Sequence, residues 1–309
     1  WEGPHIDKVV FLIVLEPATR RMMLEKGDLD LSIGISPADL EDMRFNPYIR
    51  AMRYAALATH YFCFNNKKPP MDDVHVRRAI SYAFDYEAAL AIASYWGTQS
   101  RGAMPQAIGL GWREDTFQYH RNLTKAREEL AKSAYPDGGF TLTHITTGAM
   151  LQTRMGELLQ ANLLDLNINL ELENPPWATL VDICTNPDTA RHMAGLLEFV
   201  TAPDPHFTMY RRFHSSMQPP GGGYDWAYYE NPQVDALLEE ALMEQDPEKR
   251  DDLYHQVDEI LVEDAVMLFN YEQERYEAMG SWVHGYYANP ALVQTFPYYD
   301  MWVRSDEKP

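Results

Sequence analysis

The sequence of residues 140–172 is FTLTHITTGAMLQTRMGELLQANLLDLNINLEL. Its first part predicts a strand through Ile145, and its last part alternates apolar and polar residues at Ile168, Leu170 and Leu172, which is typical of a second strand. Between them, apolar residues recur at helical spacing, so that one stripe carries Leu151, Met155, Leu158, Leu159, Leu163 and Leu166. The stretch therefore predicts a βαβ unit, and with it an α/β fold.

A similar pattern is found at the start of the chain. The run Val9–Leu15 is continuously apolar and rich in β-branched residues, which predicts a central strand covered on both faces. A helix is expected from Pro17 until Gly27 stops it, and residues 28–33 return to an extended pattern. Strand, helix and strand again predict βαβ. A further helix is expected to begin at Ser36-Pro37.

The motif Lys67-Lys-Pro-Pro-Met71 interrupts this first part, because paired prolines continue neither a helix nor a central strand. Two strands, about Ile49–Tyr54 and His60–Asn65, are expected just before it. Asn231 and Asp246 predict the caps of a helical hairpin, and Val266–Tyr271 predicts a strand that crosses back. The expected organisation is lobe I at residues 1–65, an inserted α/β lobe II at 66–266, and a return segment to lobe I at 267–309.

Charge and composition exclude several classes of function. The 46 acidic and 26 basic residues give a formal net charge of −20, which disfavours nucleic acids and anionic membrane surfaces as partners. No apolar run is long enough to predict a membrane-spanning helix, so direct membrane insertion of this chain is not expected. Cys63 and Cys184 lack metal-ligand spacing and are expected to be buried free thiols.

The chemical motifs do not indicate an enzyme. The sequence has no nucleophile elbow, zinc-protease motif, phosphate-binding loop or dinucleotide fingerprint, and no catalytic residue, metal site or cofactor is predicted. Aromatic residues remain: Tyr224 and Trp226 follow a triple glycine, and Tyr271 lies at the return crossing. Such rings stack on a ligand or seal an interface between lobes, and the sequence leaves both interpretations open.

Several ordered motifs are similar to one protein family. Residues 64–85, FNNKKPPMDDVHVRRAISYAFD, closely resemble the signature segment of the family 5 extracytoplasmic solute-binding proteins. These are the dipeptide-, oligopeptide- and nickel-binding components of bacterial ABC importers. Residues 231–238, 246–250 and 260–264 resemble the family's paired C-terminal helices, and Ser36-Pro-Ala-Asp39 resembles part of its lobe I. The similarity covers nearly the whole chain.

The resemblance implies a type II periplasmic-binding-protein fold, with two lobes joined by a two-segment hinge that close over a ligand. It also implies a non-enzymatic role: capture of an oligopeptide and its delivery to a membrane permease that works with ATPase subunits. A periplasmic or extracytoplasmic, membrane-anchored location is expected. Family members begin with a strand and a large subdomain that precede anything like Trp1–Leu15. The chain is therefore expected to be a C-terminal portion that lacks the N-terminal part of lobe I.

The ligand is less closely specified. Peptide-binding members hold the ligand's amino terminus with an aspartate just before a turn that Pro203-Asp-Pro205 resembles, and the ungapped match here falls at apolar Phe199 or Val200. Glu198 and Asp204 flank them and are the carboxylates expected to replace that aspartate. The alternatives are an oligosaccharide or a metal chelate in the same role, or a sensor module without transport.

The resemblance also suggests aromatic contacts for the ligand. Tyr271 resembles a hinge aromatic that lines the cleft in relatives, and Tyr224-Asp225-Trp226 occupies the place of a loop facing it. The predicted ligand-binding residues are therefore Glu198, Phe199, Val200, Asp204, Tyr224, Asp225, Trp226 and Tyr271.

Overall fold

The structure, a computed structural model, describes residues 5–33, 35–94, 96–200, 202–220, 225–290 and 296–309, without the side chains of Pro37 and Phe199. Two compact units are formed: residues 1–56, 94–96 and 273–309 make the smaller one, and 57–93 and 97–272 make the larger one. The units meet along the chain within two long strands, one near residue 56 and the other near residue 272.

The described residues alternate helices and strands along the chain, as expected of an α/β protein. The helices are α1 Pro17–Glu25, α2 Pro37–Met43, α3 Val74–Ala83, α4 Tyr86–Ile92, α5 Leu123–Leu130, α6 Met150–Leu163, α7 Trp177–Cys184, α8 Pro205–Phe213, α9 Pro232–Met243 and α10 Pro247–Glu263. The strands are β1 Leu31–Ile33, β2 Ile49–Phe64, β3 Gly97–Gln99, β4 Thr141–Thr146, β5 Asn169–Glu173, β6 Met193–Phe199, β7 Met267–Gly280, β8 Val283–His284 and β9 Trp302–Val303.

The larger unit contains the βαβ element predicted at residues 140–172. Strands β4 and β5 pair in parallel with Leu142 opposite Leu170, and helix α6 connects them. Within this unit the strand order is β7, β2, β6, β4, β5, with β3 beside β7. Strand β6 is parallel to β4 and antiparallel to β2. The predicted unit is confirmed, and it positions β6 at the middle of the sheet.

Burial of the α6 stripe explains why this element forms. Met155, Leu159 and Leu163 are fully buried, and they belong to one core cluster with Leu142 and Leu170 of the two strands. Burying each such side chain stabilises the fold by roughly 1.5–3 kcal/mol. The apolar residues that recur at helical spacing in the sequence therefore lie on the side of α6 that packs against the sheet.

The smaller unit has its own core. Helix α1 ends where Gly27 adopts a φ of 77°, and Ser36 caps α2 by accepting the backbone N–H of Asp39 at 3.1 Å. Strand β1 pairs antiparallel with β7, with Leu31 opposite Met279. Apolar side chains from the two helices and the strands then form one cluster, which includes Leu24, Ile35, Leu40, Met43, Ile49, Tyr276 and Ala278.

Two predictions for the first part of the chain are wrong. Residues 9–15 form neither helix nor strand, and Ile13 and Leu15 are 91% and 83% exposed. A β-branched apolar run becomes a central strand only beside neighbouring strands, and no described strand pairs with it. The first βαβ unit is therefore not formed. The two strands predicted within residues 49–65 are one continuous strand, β2, because Ala55–Ala58 continue the extended backbone between them.

Several helices of the larger unit begin at a capping side chain, and the caps predicted at Asn231 and Asp246 are confirmed. Asp73 and Asp85 cap α3 and α4, and Asn231 caps α9. The side chain of Asp246 accepts the backbone N–H groups of Glu248 and Lys249 at 3.0 and 3.4 Å and begins α10. Each acceptor satisfies a donor that has no partner within the helix.

Removal of one cap gives a measurable test. Asp246→Ala is expected to lower the free energy of unfolding by about 1 kcal/mol, because the two N–H groups lose their acceptor. Asp246→Asn keeps a side-chain oxygen at the same place and is the control, with an expected loss of a few tenths of a kcal/mol. Urea unfolding followed by circular dichroism measures both. Equal losses for the two variants would show that α10 does not depend on this cap.

Candidate functional site

A cleft of about 360 Å³ opens in the larger unit between β2, β6, α7 and α8. It combines apolar side chains, two tryptophan rings and three charged groups, the usual composition of a small-ligand site. Its lining residues are Tyr61, Cys63, Thr147, Gln152, Trp177, Leu196, Leu197, Glu198, Arg211, Arg212, Trp226 and Met267. Two of the predicted ligand-binding residues, Glu198 and Trp226, are among them.

The charged wall of the cleft is an ion pair between a strand and a helix. Glu198, near the end of β6, binds the Arg212 guanidinium of α8 and accepts the Tyr61 hydroxyl at 2.7 Å. The Arg212 side chain is only 6% exposed, whereas Glu198 retains 26%. Arg212 also lies over the Tyr61 ring, with 4.8 Å from Cζ to the ring centroid. Glu198 is therefore already neutralised by a partner within the protein.

Burial changes the proton affinities of the groups around this ion pair. Removal from water lowers the pKa of Arg212 from its ordinary value, and it raises the pKa of Tyr61 to about 12 and that of the Cys63 thiol well above its ordinary value. At neutral pH Tyr61 is thus a hydrogen-bond donor and Cys63 a neutral thiol. The structure confirms that Cys63 and Cys184 are free and buried.

A second cation lies on the same helix. Arg211 lines the cleft beside Arg212, and its Cζ lies 4.6 Å from the centroid of the Phe207 ring. Such a cation–π contact holds a guanidinium in place without removing its charge. Helix α8 therefore presents two guanidinium groups to a cleft whose lining contains one carboxylate.

Two tryptophans form the apolar part of the cleft. Trp177 begins α7 and Trp226 follows the glycine-rich segment, and their ring centroids are 6.1 Å apart with an interplanar angle of 43°. Trp177 is 56% exposed, which leaves its ring accessible to a bound molecule. A pair of adjacent indole rings offers a large apolar surface for stacking.

The structure places the other predicted residues elsewhere in the larger unit. Val200 is buried and donates its backbone N–H to Leu57 at 2.7 Å. Asp204 caps α8, accepts the backbone N–H of His206 at 2.8 Å and pairs with Arg250 at 3.3 Å. Neither residue lines the cleft.

Asp225 and Tyr271 are both fully enclosed. Asp225 accepts the backbone N–H of Tyr229 at 3.0 Å, and burial raises its pKa well above the ordinary value. Tyr271 stacks on His60, with centroids 5.3 Å apart and an interplanar angle of 6°. Neither belongs to the lining of the cleft. The side chain of Phe199 and all of Tyr224 lie outside the described residues.

Most residues that line the cleft were not predicted from the sequence. Tyr61, Trp177, Arg211 and Arg212 were not predicted, although the Arg-Arg pair lies on the helix that begins at Pro205 and Trp177 directly follows a proline pair. The Arg-Arg pair thus lies shortly after the turn from which Glu198 and Asp204 were predicted. Only the folded chain shows that Trp177 and the Arg-Arg pair share one site with Glu198.

A larger groove of about 630 Å³ lies elsewhere on the same unit. Its walls come from α3, α5, α9, α10 and the segment around Phe117 and Tyr119, and none of the predicted ligand-binding residues lies in it. In the described part of the chain no group of three or more His, Cys, Asp or Glu side chains is arranged to hold a metal ion. The same residues contain no helix that is long and apolar enough to cross a bilayer.

Comparison with known proteins agrees with this architecture. Residues 1–220 match the profile of bacterial extracellular solute-binding proteins, family 5, middle part. The chain is 28% identical over 294 residues to the probable D,D-dipeptide-binding periplasmic protein DdpA of Escherichia coli, covering 95% of this chain and 56% of that protein. It is 27% identical over 303 residues to heme-binding protein A of Haemophilus influenzae, covering 96% and 54%.

A solved structure shares the fold. HbpA2 from Haemophilus parasuis superposes with a TM-score of 0.83 at 24% identity, covering 97% of this chain and 59% of that one. The chain thus spans somewhat more than half the length of the relatives it matches. It belongs to family 5 of the bacterial extracellular solute-binding proteins and has their type II periplasmic-binding-protein fold. This is a family of binding proteins and not of enzymes.

Proposed function

We propose that this chain is the ligand-binding part of the substrate-binding component of an ABC importer, and that it captures an oligopeptide for delivery to a membrane permease. The observation that carries the proposal is the cleft, in which a tryptophan pair faces charged groups fixed by a buried ion pair. An enclosed apolar surface with a few fixed polar groups suits a small amphipathic ligand. A relative named for D,D-dipeptides supports a peptide ligand.

Other parts of this proposal come from the family. A two-lobe organisation is proposed, and the division of the chain into two compact units supports it, although the units change at residues 56 and 272 rather than at the predicted 65 and 266. Permease and ATPase subunits are the proposed partners, and an extracytoplasmic location is proposed because the E. coli relative is named a periplasmic protein. Closure of lobes around a ligand would favour a conformation that the empty protein populates less.

One observation favours a different ligand class. Two adjacent indole rings also suit a planar metal chelate, and the H. influenzae relative is named for heme. This second candidate keeps the binding role and changes only the chemistry of the ligand.

Calorimetric titration of the whole chain with short peptides, maltooligosaccharides and heme tests the proposal. Peptides are expected to bind, and Trp177→Ala is expected to weaken their binding about tenfold because stacking on the indole is lost. Trp302→Ala, which removes a 39% exposed tryptophan of the smaller unit, is the matched control and is expected to bind normally. A heat of binding with the maltooligosaccharides or with heme, and none with the peptides, would show that the peptide proposal is wrong.

A further inference from the structure

Two histidines lie in the interior of the larger unit and are not part of the cleft. His60 of β2 and His144 of β4 are both 0% exposed, and neither lines the cleft. A histidine has an ordinary pKa of about 6.5, so small changes of pH around neutrality change its charge. An enclosed histidine is therefore a group whose protonation the fold must either accommodate or exclude.

Most ring nitrogens of the pair are without a hydrogen bond. Nε2 of His60 and both ring nitrogens of His144 are enclosed and have no hydrogen-bond partner among the described residues. The remaining nitrogen, Nδ1 of His60, accepts the side-chain amide of Asn270 at 3.1 Å. Neutral His60 therefore carries its proton on Nε2, and a second proton on Nδ1 would require the Asn270 amide to turn over.

Aromatic rings surround His60 and connect it to His144. His60 is stacked on Tyr271 of β7, and the centroid of the Phe62 ring lies 5.3 Å from that of each histidine. Burial raises the pKa of the Tyr271 hydroxyl above its ordinary value, so this titratable neighbour is uncharged. None of these rings carries a negative charge that could balance an imidazolium.

The backbone of two further elements lies against His144. A Cβ atom placed at Gly195 of β6 would lie 2.6 Å from Cε1 of the His144 ring, and one placed at Gly156 of α6 would lie 3.2 Å from its Cδ2. Because both neighbours are glycines, neither offers a side chain that could pair with a charged ring. The space around His144 is thus closed by backbone from β6 and α6.

No counterion for the pair is present among the described residues. Burial lowers the pKa of both histidines to about 3, and for His60 the charge of His144 contributes to this change. Two protonated rings would repel each other. A proton bound by either ring would therefore bring an unbalanced charge into the core.

The strands that hold this pair also form the cleft. Successive side chains of a strand point to opposite faces of the sheet. Tyr61, which lines the cleft, follows His60 in β2, and Leu196, which also lines it, follows Gly195 in β6. The cleft and the histidine pair therefore lie on opposite faces of the same two strands.

We propose that His60 and His144 form an acid-sensitive switch in the larger unit. The packing of β2, β4, β6 and β7 against α6 requires both rings to be neutral, and a proton bound by either ring favours a chain in which this packing is open. Opening also releases β6, one of the two strands that line the cleft. The proposal concerns the folded chain itself and does not depend on the proposed binding role.

Urea unfolding of the whole chain at pH 7.5, 6.5 and 5.5, above its isoelectric point of about 4.8, tests the switch. An enclosed histidine that stays neutral is expected to raise the unfolding equilibrium constant about tenfold from pH 7.5 to 5.5, because only the unfolded chain binds the proton. His60→Gln and His144→Gln are each expected to remove about tenfold from the native change, and the double variant about a hundredfold. His120→Gln, which removes an exposed histidine, is the control and should alter it less than twofold.

The comparison uses only the change with pH, so a constant loss of packing in a variant does not affect it. NMR of the native chain gives a readout that needs no variant. The Cε1–H resonances of His60 and His144, identified by their contacts with the Phe62 ring, are expected not to shift between pH 7.5 and 5.5. Resonances that shift, or variants whose change with pH equals the native one, would show that the rings bind protons in the folded chain and would overturn the proposal.

Hydrogen exchange tests the connection to the cleft. Protection of the β6 amides, corrected for the intrinsic dependence of exchange on pH, is expected to fall about tenfold less between pH 7.5 and 5.5 in His144→Gln than in the native chain. His120→Gln should behave as the native chain does. An equal fall in His144→Gln and the native chain would mean that acid does not open β6 through this histidine, and the proposed switch would be wrong.

Discussion

Glu198→Gln is expected to lower the free energy of unfolding by about 3 kcal/mol at pH 7. The substitution keeps an oxygen to accept the Tyr61 hydroxyl, but it removes the negative charge that neutralises Arg212. Because Arg212 is 6% exposed, its charge then lies in the protein interior without a counterion, and breaking a buried ion pair in this way costs about 3–5 kcal/mol. The expected loss is at the lower end of this range because the Glu198 side chain is 26% exposed.

Two further variants separate this effect from a general loss of packing. The double variant Glu198→Gln/Arg212→Leu removes both charges and is expected to recover most of the lost stability, since an apolar replacement of a buried pair is often neutral. Glu173→Gln breaks the partly exposed Glu173–Arg191 pair, which joins two side chains 35% and 30% exposed, and is expected to cost less than about 1 kcal/mol. Urea unfolding of all three variants measures the differences. A loss below 1 kcal/mol for Glu198→Gln would show that Arg212 finds water or another partner.

Local features of the sequence predicted much of the fold. Asn231 and Asp246 were identified as helix caps because a short acceptor side chain precedes each apolar stripe, and both cap the helices expected. The βαβ unit at residues 140–172 was predicted because apolar residues recur at helical spacing in the middle of this stretch and alternate with polar residues at its end. The structure forms this unit, with β4 and β5 paired in parallel. These signals depend on contacts only a few residues apart, so the sequence carries them without knowledge of the tertiary structure.

The failures concern contacts that depend on distant residues. The Val9–Leu15 run has the composition of a buried strand, but composition does not state whether a neighbouring strand is present, and Ile13 is 91% exposed. The cleft was missed for a related reason. Trp177 and Trp226 are neighbours only in the folded chain, and no periodicity connects two residues so far apart in the sequence.

The prediction of Glu198 as a ligand-binding residue illustrates the same limit. Its position before the Pro203–Pro205 turn placed it in the site, and it does line the cleft. Its partner Arg212 lies on the next helix, and no local pattern relates the two side chains. The sequence therefore located a carboxylate without showing that an arginine already neutralises it.

Two enclosed carboxyl groups in the larger unit are expected to contribute less stability as the pH rises from 5 to 8. Asp258 of α10 accepts the backbone N–H groups of Ala103 and Met104 at 2.7 and 3.3 Å, and Glu272 of β7 accepts that of Gln106 at 2.7 Å. Burial is the main cause that raises the pKa of each to about 7, and for Glu272 the charge of Asp258 contributes to the rise. Both groups therefore bind protons more tightly in the folded chain than in the unfolded chain, where the ordinary values are 3.8 and 4.5.

The sign of the effect follows from this difference. Stability that depends on the protonated carboxyls is fully present below pH 4 and is lost as the pH rises through 7. Each pKa unit corresponds to about 1.4 kcal/mol, so the loss attributable to Asp258 approaches about 4 kcal/mol at pH 8. Groups in ion pairs, such as Asp39, have lowered pKa values. Their contribution to stability is lost as the pH falls, and this loss occurs in the acidic range. Burial lowers the pKa of His60 and His144 to about 3, so these groups also oppose the carboxyl groups as the pH rises towards 6.5. The contribution of Asp258 is therefore isolated by comparing the native chain with a variant at each pH.

Asp258→Asn tests this assignment. The amide keeps an oxygen for the N–H groups of Ala103 and Met104 and carries no charge at any pH, although its NH2 group replaces an oxygen that has no hydrogen-bond partner. The variant is expected to be about 1–3 kcal/mol more stable than the native chain at pH 8, after the unsatisfied NH2 is counted, and no more stable at pH 5. Asp252→Asn, a substitution of a 69% exposed side chain on the same helix, is the control and should leave the pH dependence unchanged. Urea unfolding at pH 5, 6, 7 and 8 measures how the free energy of unfolding of each variant changes with pH. If this change is the same for Asp258→Asn as for the native chain, Asp258 is hydrated and ionised throughout this range.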